Sequence, residues 1–260
     1  MGDIMNKVYG IEKASLLKRF SAYLLDAILT VIIATGVLFV ASHIVGYNEK
    51  SQRMDELYEE YETKYGISFE LTQEEYDKLT EEEKQNYEDA YEEFSKDEEV
   101  IYTYNLVFNL SLALITIGLL IGVAVVEFVI PLCLKNGQTV GKKIFGICLV
   151  KNDSVKINNM MLFIRAFLGK FTIETMIPVY ILLLIIFGNA GLIGTVILFL
   201  ILIIQIILSF ATTNKTLIHD LMAGTVVVDM SSQMIFESEE KMLEYKKDFY
   251  KKEAENKKYF

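Results

Sequence analysis

Three carboxylates, Asp26, Glu127 and Glu174, lie inside long apolar runs of this 260-residue chain. An ionised side chain within a membrane span costs about 2.5–3.5 kcal/mol on insertion scales, so such residues point to proton or ion chemistry, or to a buried ion pair. At about 100° per residue, Arg19, Tyr23, Asp26 and Thr30 share one side of a helix. The guanidinium of Arg19, two turns below Asp26, could lend its charge to that carboxylate. Asn105, Asn109, Thr116 and Glu127 likewise share a face, which gives the second apolar run an inward polar side. The chain has two prolines, and each follows a glutamate by four residues, in Glu127-Phe-Val-Ile-Pro131 and Glu174-Thr-Met-Ile-Pro178. Proline deprives the carbonyl four positions earlier of its helical partner, so each glutamate's backbone oxygen is freed beside its carboxylate. Such groupings hold cations or pass protons at broken transporter helices, and they also occur as plain structural kinks.

Placing these groups requires membrane spans. Apolar residues make up 52% of the chain, and they fall into blocks separated by charged ones. The blocks run over 20–45, 104–134, 171–187 and 192–210, and at about 1.5 Å per residue they suit a core of about 30 Å. The third is the shortest and follows Arg165 and Lys170, so residues 159–170 read as an amphipathic lead-in lying in the interface. Asn189, Ala190 and Gly191 leave room for a tight turn between the last two spans. Gly118 and Gly122 form a G-x-x-x-G pair that suits close helix packing.

Charge sets the orientation. Lys7, Lys13, Lys18 and Arg19 precede the first span, and the Lys-rich loop 135–156 joins the second to the third, so both belong in the cytoplasm. Four spans return the C-terminus to that side, and the site is the cell membrane. The net charge of −10 comes from the segment 46–100, with 20 acidic residues against 6 basic ones, which is left outside. There Thr72-Gln-Glu-Glu75 and Thr80-Glu-Glu-Glu83 match the capping box, and apolar residues recur at helical spacing. They predict a helical hairpin, either a solubilising cap or a surface for a cation or partner.

The fold class is therefore an all-α membrane protein, a bundle of four transmembrane helices with an acidic extracytoplasmic helical hairpin and a small cytoplasmic β-hairpin. The hairpin is read from the alternation over 144–151 and 155–157 about a turn at Asn152-Asp153, and Thr225 to Val228 could add a strand. The divisions are 1–45, 46–103, 104–230 and a solvated charged tail over 231–260. Cys133 and Cys148 lack metal-ligand spacing and read as reduced packing residues. No metal, cofactor or nucleic acid is called for.

Three blocks resemble the RDD family of small prokaryotic membrane proteins, named for one arginine and two aspartates. Arg19-Phe-Ser-Ala22-Tyr-Leu-Leu-Asp26 looks like its R-x-x-A-x-x-x-D. Gly137-Gln138-Thr139-Val-Gly141-Lys142-Lys143-Ile-Phe-Gly146 is similar to its G-Q-T-x-G-K-x-x-x-G. His219-Asp220-Leu-Met-Ala223-Gly224-Thr225 looks like its H-D-x-x-A-G-T. The resemblance implies that Arg19, Asp26 and Asp220 are the name-giving residues, and that transport, including cation/proton exchange, is the role to suspect. The acidic insertion, the cytoplasmic tail and Asn214-Lys215 ahead of His219 depart from the family pattern. The third block would sit at the cytoplasmic mouth of the bundle, close to Arg19 and Lys142, where Arg19 with Asp220 or Asp26 could equally be a structural ion pair.

Two functions follow. In the first, the chain is a transporter or transport subunit in which Asp26, Glu127, Glu174 and His219 bind a proton or a monovalent cation, with Arg19 tuning Asp26. In the second it is a membrane scaffold that holds a partner through its acidic hairpin or its tail. Four short spans also favour a homo-oligomer. An enzyme is not expected, since the G-x-G-D context of intramembrane aspartyl proteases is missing and the two histidines, His43 and His219, form no H-E-x-x-H.

Overall fold

A computed structural model of the chain describes residues 11–134, 136–186, 191–212 and 216–257. Lys7, Lys135, the turn residues Asn189 and Ala190, and Asn214-Lys215 lie outside the described residues. Four helices are long and apolar enough to cross a bilayer. The first is α1 (Leu16–Ile44), followed by α2 (Tyr47–Tyr65), α3 (Gln73–Asp77) and α4 (Glu81–Lys96). The second joins α5 (Glu98–Val123), a π-helical stretch (Ala124–Val129) and α6 (Ile130–Leu134). Short α7 (Val140–Ile144) leads to β1 (Ile147–Lys151). The third joins α8 (Asn159–Phe163), a second π-helical stretch (Ile164–Met176) and α9 (Ile177–Ile186). The fourth is α10 (Gly191–Ala211), and α11 (Ile218–Ala223), β2 (Thr225–Asp229) and α12 (Glu239–Lys257) close the chain. Large apolar side chains such as Leu192, Ile193 and Phe199 are exposed along these helices, as a lipid-facing surface requires.

The third helix corrects the sequence reading. It runs unbroken from Asn159 to Ile186, 28 residues, so the expected interfacial lead-in is part of it. Arg165 and Lys170 are buried within the protein, not spread at an interface. The two prolines also act differently from simple kinks. Each follows a π-helical stretch by two residues, and that stretch ends with a bond over five residues, from Ile130 N–H to Val125 O and from Ile177 N–H to Thr172 O. With no N–H at Pro131 or Pro178, the turn before each proline is free to widen.

The chain divides into two compact units, Met1–Ile33 with Leu119–Phe260, and Ala34–Gly118. In the first, β1 pairs antiparallel with β2, in register from Ile147 opposite Asp229 to Lys151 opposite Thr225. Alternate residues serve two cores. Ile147, Leu149 and Val227 pack with Ala14, Ala22 and Leu162, while Cys148, Val150, Val226 and Val228 pack with Ile11 and Ile235. The two-stranded sheet thus joins distant segments, with the strand that Thr225 to Val228 could add as the partner of β1. The turn at Asn152-Asp153 forms, with Lys151 N–H donating to Val155 O at 2.8 Å, but the 155–157 arm contributes one bridge, Val150 to Lys156. Val150 also pairs with Val226, so the arm and the five-residue strand β2 lie on opposite edges of β1. Cys148 is buried, as read, whereas Cys133 is exposed.

The second unit has its own core, in which Met54, Leu57, Phe94 and Val100 are buried with Tyr58, Tyr61 and Phe69 against them. Both capping boxes form, with Thr72 and Thr80 accepting from Glu75 N–H and Glu83 N–H and each glutamate reaching back to the threonine. Gly118 takes the close approach of α1: a Cβ there would lie 3.1 Å from Ala34 O. The opposite side of α5 carries Asn105 and Asn109, and both are exposed, so the inward polar face expected along this helix does not form. The Thr116 hydroxyl donates to its own helix, at Leu112 O, 2.7 Å away.

Candidate functional site

The buried polar groups of the first unit converge where the G-Q-T and H-D blocks meet the helices. The loop fixes the first of them. Thr139 caps α7, its hydroxyl accepting from Lys142 N–H at 3.2 Å, and the same hydroxyl donates to Asp26 Oδ2 at 2.5 Å. Gly141 N–H donates to Asp26 Oδ1 at 2.8 Å. This grip needs two small residues in contact. A Cβ on Gly141 would fall 2.3 Å from Ala22 O and 2.9 Å from Asp26 Oδ1, so glycine there and alanine at 22 let the loop seat on α1. Gly137, at φ +61°, and Gly146, at φ +66°, turn the chain on either side, and Gln138 donates to Ile147 O at 2.8 Å.

The charge arrangement differs from the one expected. Asp26 is buried, as its inward position predicts, but hydrogen bonds from a hydroxyl and a backbone N–H satisfy it. Arg19 pairs instead with Asp220, Nη2 to Oδ2 at 3.7 Å. At the centre stands Arg165, 2% exposed, whose Nε donates to Asp220 Oδ1 at 2.9 Å and whose Nη1 donates to Glu127 Oε2 at 3.0 Å. Glu127 also accepts from Lys170, and Lys142 Nζ lies 3.6 Å from its Oε2. Thr225, at the start of β2, completes Asp220 Oδ1 at 3.0 Å. Burial pushes the Lys142 ammonium down to about 8, against the pull of Glu127. Burial works against the Asp220 charge, but His219 and Arg165 outweigh it and hold that carboxyl well below the usual range.

A second pair adjoins this group. His219 Nδ1 lies 2.7 and 2.8 Å from the two carboxylate oxygens of Glu174, and His219 N–H donates to Glu174 Oε1 at 3.2 Å. Gln205, from α10, hydrogen-bonds Glu174 and accepts from Ile218 N–H at 3.5 Å. Gly169 makes the seat for α11, since a Cβ there would fall 2.6 Å from His219 Cα. All four apolar helices therefore contribute a polar group: Arg19 and Asp26, then Glu127, then Arg165, Lys170 and Glu174, then Gln205.

Arg165, Lys170, Gln205 and Thr225 are the members that sequence reasoning missed. At 100° per residue, positions 165 and 170 are about 140° apart, which reads as no shared face. The π-helix bonds i to i+5 and brings residues five apart back toward one side. The usable signal is the proline after Glu174, which marks where α-periodicity should not be trusted. Among the described residues no group of His, Cys, Asp and Glu could hold a metal ion. Comparison with curated proteins and with solved structures gives no match. A model of the RDD family matches residues 13–224.

Proposed function

The chain belongs to the RDD family, and from that premise we propose that it moves protons or a small monovalent cation across the membrane through its buried polar core. The observation that carries this reading is the convergence of Glu127 and Asp220 with Arg19, Lys142, Arg165 and Lys170, adjoined by the Glu174–His219 pair and by buried Asp26, inside an otherwise apolar set of helices. Intramembrane ionisable groups are costly, and a purely structural core of this volume is met more cheaply by apolar packing. Glu174 and His219 are the groups assigned to ion handling, because a histidine exchanges its proton near neutral pH. Asp26 is assigned to fastening the loop onto α1. On this reading both termini and the sheet face the cytoplasm, and the acidic unit faces outward.

Purified protein in proteoliposomes carrying a pH-sensitive or cation-sensitive dye should show flux that Glu174→Gln and His219→Gln abolish and that Asp26→Asn reduces less. Wild type indistinguishable from empty vesicles would remove the proposal. The alternative, a scaffold without transport, draws on the folded aromatic core of the acidic unit, which a mere solubilising charge run would not need. A partner that co-purifies in mild detergent and is released by deleting residues 50–98 would favour it.

A further inference from the structure

We infer that His219 and Asp220 form a proton-binding site, in which one exchangeable proton is held between His219 Nε2 and Asp220 Oδ2 while Glu174 fixes the ring from its other side. This deepens the transport reading, on which its link to flux rests. The geometry constrains the ring strongly. Nδ1 faces the Glu174 carboxylate at 2.7 and 2.8 Å, so that nitrogen carries a hydrogen. The same carboxylate accepts from the His219 backbone N–H at 3.2 Å, which ties the ring to its own main chain. Nε2 is left facing Asp220 Oδ2 at 3.5 Å.

That oxygen is the reason to place a proton here. Asp220 is 0% exposed, and its Oδ1 accepts from Arg165 and Thr225, yet Oδ2 is a buried side-chain atom with no hydrogen bond. With a hydrogen on Nδ1 alone, the Nε2 lone pair would face a carboxylate oxygen, and that buried acceptor would stay without a hydrogen bond. A second proton turns this contact into a charge-assisted hydrogen bond, and a small approach of ring and carboxylate completes it. The surrounding charges pull in both directions. Glu174 and Asp220 favour the proton, while Arg19 from α1, at 3.7 Å from the same Oδ2, and Arg165 and Lys170 from the π-helical stretch oppose it. Glu127 offsets Arg165 and Lys170, and the neutral Gln205 of α10 holds Glu174. Opposed fields of this kind keep a proton exchangeable instead of fixing it or excluding it.

The test is a titration of the ring itself. Full-length protein with 15N-labelled histidine, in phospholipid nanodiscs, is followed by NMR from about pH 5 to about pH 9. The sequence has two histidines, so a His43→Gln variant assigns the His219 signals. Nδ1 should remain protonated throughout, and Nε2 should gain its proton as the pH falls. Glu174→Gln and Asp220→Asn should each move that change to lower pH by about one unit, a tenfold shift in proton concentration. Asp220 also ties Arg165 and Arg19, so where Asp220→Asn does not fold, Glu174→Gln decides alone. A ring that keeps one protonation state over the range, or that titrates at the same pH in the variant as in wild type, overturns the inference. Titration without flux would sink transport and leave this site standing, and flux with a silent ring would do the reverse.

Discussion

Asp26 joins the first helix to the loop by two hydrogen bonds, and this sets the effect of replacing it. Asp26→Ala strands the Thr139 hydroxyl and the Gly141 N–H, both buried, at a cost of about 1–3 kcal/mol each. Asp26→Asn keeps one acceptor oxygen and should cost less. Thermal unfolding in detergent should therefore rank wild type above Asp26→Asn and that above Asp26→Ala, and equal stability of all three would contradict the assigned role. Arg165 is a harsher case. Arg165→Met leaves Glu127 and Asp220 each short of a partner, for about 3–5 kcal/mol. The half-exposed pair of Lys18 with Asp229 serves as a control, since Lys18→Met should cost about 1 kcal/mol or less. The same measurement separates the two, and a smaller loss in Arg165→Met than in Lys18→Met would refute the placement of Arg165 at the centre.

At the scale of elements, the acidic unit owes its helices to caps and to a small aromatic core. Thr80→Ala removes the acceptor for Glu83 N–H and should lower the stability of that unit by about 1 kcal/mol, read as loss of helical circular dichroism at lower temperature. Acid acts on the same helices. Asp97 accepts from Tyr61 Oη at 2.9 Å and from the N–H groups of Glu99 and Val100, which hold its carboxyl below the ordinary 3.8. A carboxyl depressed in the folded state stabilises above its unfolded value and ceases to do so as pH falls through the folded one. Tyrosine emission from this unit should hold steady down to about pH 4 and change below it, and Asp97→Asn should lose the part of that change due to this carboxyl; a flat profile in wild type down to about pH 2 would contradict this. These helices were legible beforehand, because capping boxes and helical spacing are local signals. The π-helical stretches were not, since their causes are a proline downstream and burial of Arg165 and Lys170, and α-periodicity hides both.

For the whole molecule, the charge carried by Lys142 links folding to alkaline pH. Its folded value of about 8 lies below the ordinary 10.5, so the unfolded chain binds more protons between them and stability rises with pH across that window. Wild type should gain on Lys142→Met in melting temperature from about pH 8 to about pH 10.5, and a constant difference would show that burial does not penalise this ammonium. Composition and hydropathy blocks were enough to read four apolar spans, because insertion into a bilayer is governed by local apolar length, and the family came from the resemblance of three sequence blocks. The buried position of Asp26 and the nearness of Arg19 to Asp220 were also legible, from helical spacing and from the motif order. Which acid each base meets was decided in three dimensions: Thr139 and Gly141 claim Asp26, Arg165 claims Glu127 and Asp220, and β2 joins β1 along the edge opposite the 155–157 arm. Partner choice among buried charges depends on distances between segments far apart in the chain, and no local pattern of residues encodes those distances.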